Sequence, residues 1–104
     1  TEIAMQVLTT TIKREFFRKI VAREKRVEYR EIKPYWTKRL ATMTTPFLLH
    51  LVNGMTHPIP ELTVVVTRVR KNVAQRRYEL QLGTVRAVKR WDRRRERPRQ
   101  RPTG

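Results

Sequence analysis

Lys25, Glu28 and Arg30 place an amine, a carboxylate and a guanidinium inside the six-residue run Lys25-Arg26-Val27-Glu28-Tyr29-Arg30. Side chains on extended backbone alternate between faces, so Glu28 and Arg30 emerge from one face roughly 7 Å apart and can line one cleft. Lys25 stands at the entrance of that strand. An arginine grips phosphate through two donors, and a lysine is a point charge that also accepts a proton where burial or neighbouring cations disfavour its charged form. Arg23 and Arg26 are such neighbours. The chemistry open to this set is therefore phosphate binding by Arg30, proton positioning by Lys25, and orientation of the lysine or of a ligand hydroxyl by Glu28. The same spacing is also met by an ordinary ion pair on a charged strand face.

The elements that must position these groups are written in the hydrophobic pattern. Residues 3–8 form a short apolar run that reads as a first strand, and the threonines at 9, 10 and 11 that follow suit helix capping. From about Thr11, Phe16 with Ile20 and Phe17 with Val21 repeat four apart, while Lys13, Arg14, Arg18, Lys19 and Arg23 take the other side. This spacing predicts an amphipathic helix about three turns long whose apolar face packs on a sheet. Over residues 26–32 the period changes to two, with Val27 and Tyr29 on one face and Glu28 and Arg30 on the other. Pro34 stops that strand and opens a second short helix through Leu40. Strands over 47–52, 62–69 and 78–88 make the second half β-rich, with a turn at Asn53-Gly54 and an irregular link at His57-Pro58-Ile59-Pro60. Tyr78, Leu80 and Leu82 alternate with polar residues until Gly83, after which Val85 and Val88 are three apart, so a bulge or bend is expected at the glycine and a curved sheet with it.

A chain of 104 residues suffices for one domain with one modest core. Its formal net charge of +16 opposes compaction and favours polyanionic partners. Six arginines against Asp92 and Glu96 put +4 on residues 92–104, which leaves +12 on residues 1–91; the body itself is basic. Beyond Trp91 the composition cannot bury enough apolar surface to offset the entropy of ordering, so the expected organisation is a domain over 1–91 and a disordered Arg-rich tail over 92–104. Such a tail raises affinity for phosphate without specifying sequence. The absence of cysteine removes disulfides and thiolate metal sites and is compatible with a reducing compartment. No apolar run approaches the roughly 20 residues that span a bilayer, and the first residues lack the charged start and apolar stretch of a secretory leader. The expectation is a cytoplasmic protein with no membrane association and no obligate protein partner.

The run from Ile20 to Arg30 resembles the signature of ASCH domains, G-x-K-x-x-E-x-R: Lys25, Glu28 and Arg30 are in place, and Arg23 stands at the glycine position. Lys33-Pro34-Tyr35-Trp36 with Lys38-Arg39-Leu40, then Asn53-Gly54, then Tyr78 through Gly83 also look like the small phage-type members, so the resemblance spans roughly residues 5–90. It implies an α+β, PUA-like fold, a small mixed β-barrel of about five to six strands with two flanking short helices, and a cleft beside the motif that takes RNA. Similar proteins include ribonucleases and an amidohydrolase acting on acetylated cytidine. Replacing the glycine by Arg23 removes a residue that tolerates positive φ or close approach of a ligand, so either the turn is shaped differently or the cleft gains a cation. The amidohydrolases carry a threonine nucleophile where this chain has Glu28, which ranks deacetylation second.

The expected function is RNA binding, with a small ribonuclease as its enzymatic form; a non-catalytic RNA-binding module and the amidohydrolase are the alternatives. In a ribonuclease, Lys25 would act on the 2′-hydroxyl while cations stabilise the charge developing on phosphorus. Tyr29, Tyr35 and Trp36 interleave with Arg30, Lys33, Lys38 and Arg39, a mixture suited to stacking on unpaired bases while cations follow the backbone. Tyr29 shares a face with Val27 and reads as structural, whereas Arg23, Arg26, Tyr35, Trp36, Lys38, Arg39, Asn53 and Arg68 are the RNA-contacting candidates. For Asn53 the turn is the competing role. Phe16, Phe17, Ile20 and Val21 read as core, and Arg70, Lys71, Arg76 and Arg77 join Arg68 as a basic rim around a hairpin. His50 and His57 are too few and too separated for a metal site. No cofactor is expected, with a divalent metal bridging Glu28 and phosphate left open. Charge alone does not separate RNA from DNA, and DNA ranks lower as a partner.

Overall fold

The computed structural model describes residues 4–99. In chain order the elements are β1 (Val7–Thr11), α1 (Arg14–Val21), β2 (Val27–Glu31), α2 (Pro34–Ala41), β3 (Phe47–Val52), β4 (Glu61–Asn72), β5 (Arg77–Lys89), β6 (Trp91–Asp92) and β7 (Arg97–Pro98). The first five strands form one sheet ordered β1-β3-β4-β5-β2, and β6 pairs with β7. Within the large sheet β1 runs parallel to β3, and the remaining pairs are antiparallel. With its two short helices this is the expected α+β architecture, a small mixed sheet curled into a half-barrel.

The curl comes from the long β4–β5 pair. Between the pairs Val64↔Val85 and Val66↔Leu82, β4 advances two residues and β5 three. The additional residue lies at Gly83 and Thr84, where the sequence calls for a bulge, and two further register shifts flank it at Thr63/Val64 and Val66/Arg68. An unpaired residue bends its strand and increases the local twist. Gly83 also tolerates a close neighbour, since a Cβ there would sit 3.0 Å from the Thr67 methyl.

Alternation places Phe47, Leu49 and Leu51 of β3, Leu62, Val64 and Val66 of β4, and Tyr78, Leu80 and Leu82 of β5 in the interior. Phe17 and Ile20 of α1 close over that surface, and Phe16 and Val21 pack at its margin, as the four-residue spacing predicts. Trp91 is buried too, with its ring 5.0 Å from that of Phe17.

Three local expectations are corrected. The first strand is Val7–Thr11 rather than 3–8, so the threonines are strand residues and not caps; Ile3 lies outside the described residues. Parallel pairing with β3 claims Thr9, Thr10 and Thr11, and β-branched side chains suit that surface. The helix consequently starts at Arg14, with Lys13 as an N-cap that makes no side-chain capping bond. Finally, residues 92–99 do not follow the expected structureless tail: Trp91 and Asp92 pair with Pro98 and Arg97, and the Asp92 carboxylate accepts the backbone N–H groups of Arg94 and Arg95, each at 3.1 Å. Those two bonds, with the charges of Arg95 and Arg99, hold the Asp92 carboxyl below its ordinary pKa. An ion pair of 2.9 Å between Arg18 and Glu96 ties the hairpin to α1. The order of this segment comes from Trp91 and from turn chemistry, which composition alone does not reveal. Residues 100–104 of the expected tail lie outside the described residues. Among the described residues no helix is long and apolar enough to cross a membrane.

Candidate functional site

β2 is the outermost strand on one side of the sheet, and Glu28 pairs there with Leu80 of β5, which sends both side chains inward. The inward residues of β3 and β4 are apolar, whereas Glu28 brings a carboxylate to that wall at only 5% exposure. Burying a carboxylate is costly unless it is paired and hydrogen-bonded. Both conditions are met: Lys25 Nζ lies 3.4 Å from one carboxylate oxygen, and an Arg30 terminal nitrogen donates to the other at 2.5 Å.

Each cation is backed by aromatic surface. Lys25 Nζ sits 5.0 Å from the ring centroids of both Phe16 and Tyr29, and the Arg30 guanidinium lies 5.0 Å from that of Trp36. Attraction to ring faces adds to the carboxylate in fixing both side chains. Arg30 also donates to the Thr11 carbonyl at 2.9 Å, and Arg39 of α2 donates to the Thr9 carbonyl at 2.8 Å, so β2 and α2 both reach the outer edge of β1.

The result is a cleft of about 650 Å³ between the two outer strands. Lys25, Glu28 and Arg30 form its charged floor, Phe16, Tyr29 and Trp36 its aromatic walls, and Lys13, Glu31 and Lys33 its rim. The three motif residues thus converge on one solvent-open hollow. An arrangement of this kind can hold phosphate on its cations and a flat ring against its walls.

Local backbone chemistry sets Lys25 in place. The end of α1 closes as a Schellman motif, with Arg23 N–H on the Ile20 carbonyl at 3.1 Å and Glu24 N–H on the Lys19 carbonyl at 2.8 Å. That motif requires a left-handed residue, and Arg23 supplies it at φ 64°. The position matched to the signature's glycine has positive φ in this chain and is occupied by a residue that has a Cβ. The Arg23 side chain turns to the Gly83 carbonyl at 2.8 Å and does not line the cleft.

The remaining candidates divide. Trp36 lines the cleft, while Tyr35 is 58% exposed outside it and accepts a hydrogen bond from Arg39. Arg26 borders a smaller depression over Phe16 and Tyr29, adjoining the cleft through Lys25. Lys38 is exposed on α2 and Arg68 on β4, and neither lines the cleft. Asn53 is corrected from RNA contact to scaffold: it is buried, donates to the Ile12 carbonyl at 2.8 Å and accepts from Arg14 Nε at 2.7 Å. Tyr29 is corrected in the opposite sense, since it is 44% exposed on the cleft wall with the Arg77 guanidinium 3.9 Å from its ring centroid. Sequence reasoning also missed Phe16 and Lys13 as cleft residues. Phe16 carries the same four-residue signal as the core, and Lys13 became a site residue only because the helix starts after it. His50 bridges Thr9 and Glu61 within the sheet, at 3.2 and 3.3 Å.

No protein-family model matches this chain, and no curated protein matches it, so the likeness to ASCH domains rests on the motif residues themselves.

Proposed function

We propose that this protein binds RNA and takes an unpaired nucleotide into the Lys25, Glu28 and Arg30 cleft. The observation that carries the reading is Glu28, a buried carboxylate gripped by two cations in an otherwise apolar wall, at the floor of a hollow open to solvent. A buried ion cluster is weak support for stability compared with packed hydrocarbon, whereas a few convergent polar groups among apolar walls are what a ligand site needs. A carboxylate offers about four acceptor positions, so Glu28 keeps capacity for a base edge or a ribose hydroxyl beyond its two partners. Trp36 and Tyr29 supply stacking faces, and Lys13, Lys33 and Arg30 supply phosphate contacts. Acceptance of the 2′-hydroxyl by Glu28 is what favours RNA over DNA in this reading.

Trp36→Leu keeps apolar packing and removes the ring. We expect the affinity for single-stranded RNA to fall about tenfold, the low end of the roughly 1–3 kcal/mol that base stacking contributes, with little change in melting temperature. Equal affinity of variant and parent would sink the reading. Competition by DNA of matched sequence tests the preference for RNA, which requires weaker competition by DNA.

One observation favours a second reading, RNA cleavage: the amine, carboxylate and guanidinium converge on a single cleft. In that reaction the 2′-hydroxyl gives its proton to the Lys25 and Glu28 pair, its oxygen attacks phosphorus, and the 5′-oxygen leaves as the alcohol by taking a proton from the same pair, with Arg30 on the phosphate. Lys25→Ala then abolishes cutting of labelled RNA by a nuclease-free preparation; undiminished cutting removes Lys25 from the chemistry.

A further inference from the structure

A second groove of about 650 Å³ lies on the other flank of the first turn of α1, and its chemistry differs from that of the cleft. Arg14, Arg95, Arg97 and Arg99 line it with His57, against Asp92 as its acidic residue, and it contains no Phe, Tyr or Trp. The Asp92 carboxylate accepts from the Arg94 and Arg95 backbone and lies 4.0 Å from Arg95 Nε, so one carboxylate stands against four arginines. Among the described residues no carboxylate lies within ion-pair distance of Arg14, Arg97 or Arg99. Arg14 is held through Nε by buried Asn53, which fixes its guanidinium and leaves the two terminal nitrogens for a ligand. Arg97 of β7 and Arg99, one residue beyond that strand, both line the groove.

Clustered arginines grip phosphate oxygens through paired donors, and without Phe, Tyr or Trp the groove offers fewer stacking faces than the cleft. The ridge between the two hollows is one peptide unit wide: Lys13 lines the cleft, and Arg14, its chain neighbour with Cα atoms about 3.8 Å apart, lines the groove. A strand leaving the cleft over Lys13 therefore meets Arg14 next. We infer that the groove receives the phosphodiester backbone of the same RNA whose unpaired nucleotide fills the cleft, an inference that rests on the RNA reading of the cleft. The cleft then selects an unpaired base, and the groove sets the length of strand that is held.

Fluorescence anisotropy across a salt series tests this with uridine oligonucleotides of about four and about twelve nucleotides, both within the usual site sizes of small single-strand binders. The proteins compared are the parent, the double variant Arg97→Gln with Arg99→Gln, and Trp36→Leu. Both arginines are exposed, and the double variant is expected to melt with the parent. On the long RNA it should lose about 1.4 from the slope of log affinity against log salt, about 0.7 for each lost phosphate contact, while its affinity for the short RNA stays at the parent value. Trp36→Leu should weaken both lengths. If Trp36→Leu weakens both and the double variant keeps the parental slope on the long RNA, the groove inference alone is overturned. If Trp36→Leu changes neither length, the cleft reading fails, and with it the claim that one strand fills both hollows. Absence of binding to the long RNA by the parent overturns both.

Discussion

One terminal nitrogen of Arg30 donates both to the Glu28 carboxylate at 2.5 Å and to the Thr11 carbonyl at 2.9 Å, so a single side chain on β2 holds the site's buried charge and the outer edge of β1. The two outer strands of an open sheet are thereby joined across the cleft. Arg30→Lys keeps the charge but replaces a planar fork by one ammonium, which cannot reproduce both contacts and the stacking on Trp36. Loss of one such bond, about 1 kcal/mol, should loosen β1. The Ile12 amide, bonded to the Val52 carbonyl, should then exchange with solvent roughly fivefold faster. Unchanged protection at Ile12 would show that Arg30 does not brace the edge.

Glu28 should cost stability in exchange for function. Glu28→Gln leaves Lys25 and Arg30 without their counter-charge; both side chains retain some solvent contact, which tempers the loss to about 1–3 kcal/mol. Replacing the cluster together, Lys25→Met with Glu28→Leu and Arg30→Met, should restore or exceed parental stability in urea while RNA binding is lost. A triple variant less stable than Glu28→Gln would identify the cluster as structural.

Arg23 carries backbone strain at φ 64°. A left-handed residue with a Cβ costs about 1–2 kcal/mol, partly offset by the exposed bond from Arg23 to Gly83, about 0.5 kcal/mol. Arg23→Gly should therefore raise stability by about 0.5–1.5 kcal/mol, several degrees in melting temperature for a domain of this size. Arg23→Ala keeps the strain and loses the bond, and should melt below the parent. The order glycine, arginine, alanine is the result to check, and any other order rejects the strain account.

Acid should open the β6–β7 hairpin. The Asp92 carboxyl is held below its ordinary value of 3.8 by the Arg95 and Arg94 backbone N–H groups. A depressed carboxyl contributes stability that is fully present above the unfolded value and is lost as pH falls through the lower folded one. The amide resonances of Arg94 and Arg95 should hold steady above pH 3.8 and move below it; in Asp92→Asn that acid-dependent movement should disappear.

Much of this fold is legible because two periods dominate it. The four-residue spacing of Phe16, Phe17, Ile20 and Val21, the proline at the start of α2 and the alternation in β3 and β5 each lead to the observed element, and Gly83 locates the bulge that curls the sheet. What escaped is long-range. Thr9, Thr10 and Thr11 have equal local claims on a cap and a strand, and a pairing with β3 some forty residues away decides between them. Asn53 and Tyr29 exchanged roles because burial depends on where α1 and the sheet edge come to rest, which neighbouring residues do not encode. Of the cleft lining, Lys25, Glu28 and Arg30 are singled out by the motif resemblance, since their spacing equally suits a surface ion pair, and Trp36 by its basic neighbours, whereas Phe16, Tyr29 and Lys13 require the fold.

The guanidinium groups on the Thr9 and Thr11 carbonyls have a consequence for colloidal behaviour. An unpaired strand edge invites a second chain to add its own backbone and propagate a ladder. Here alternate acceptors along β1 are already satisfied by side chains that also bring positive charge, and an approaching copy of this basic chain meets repulsion where it would find its hydrogen bonds. The β1 edge beside the cleft is thereby less open to ladder growth than a bare strand edge.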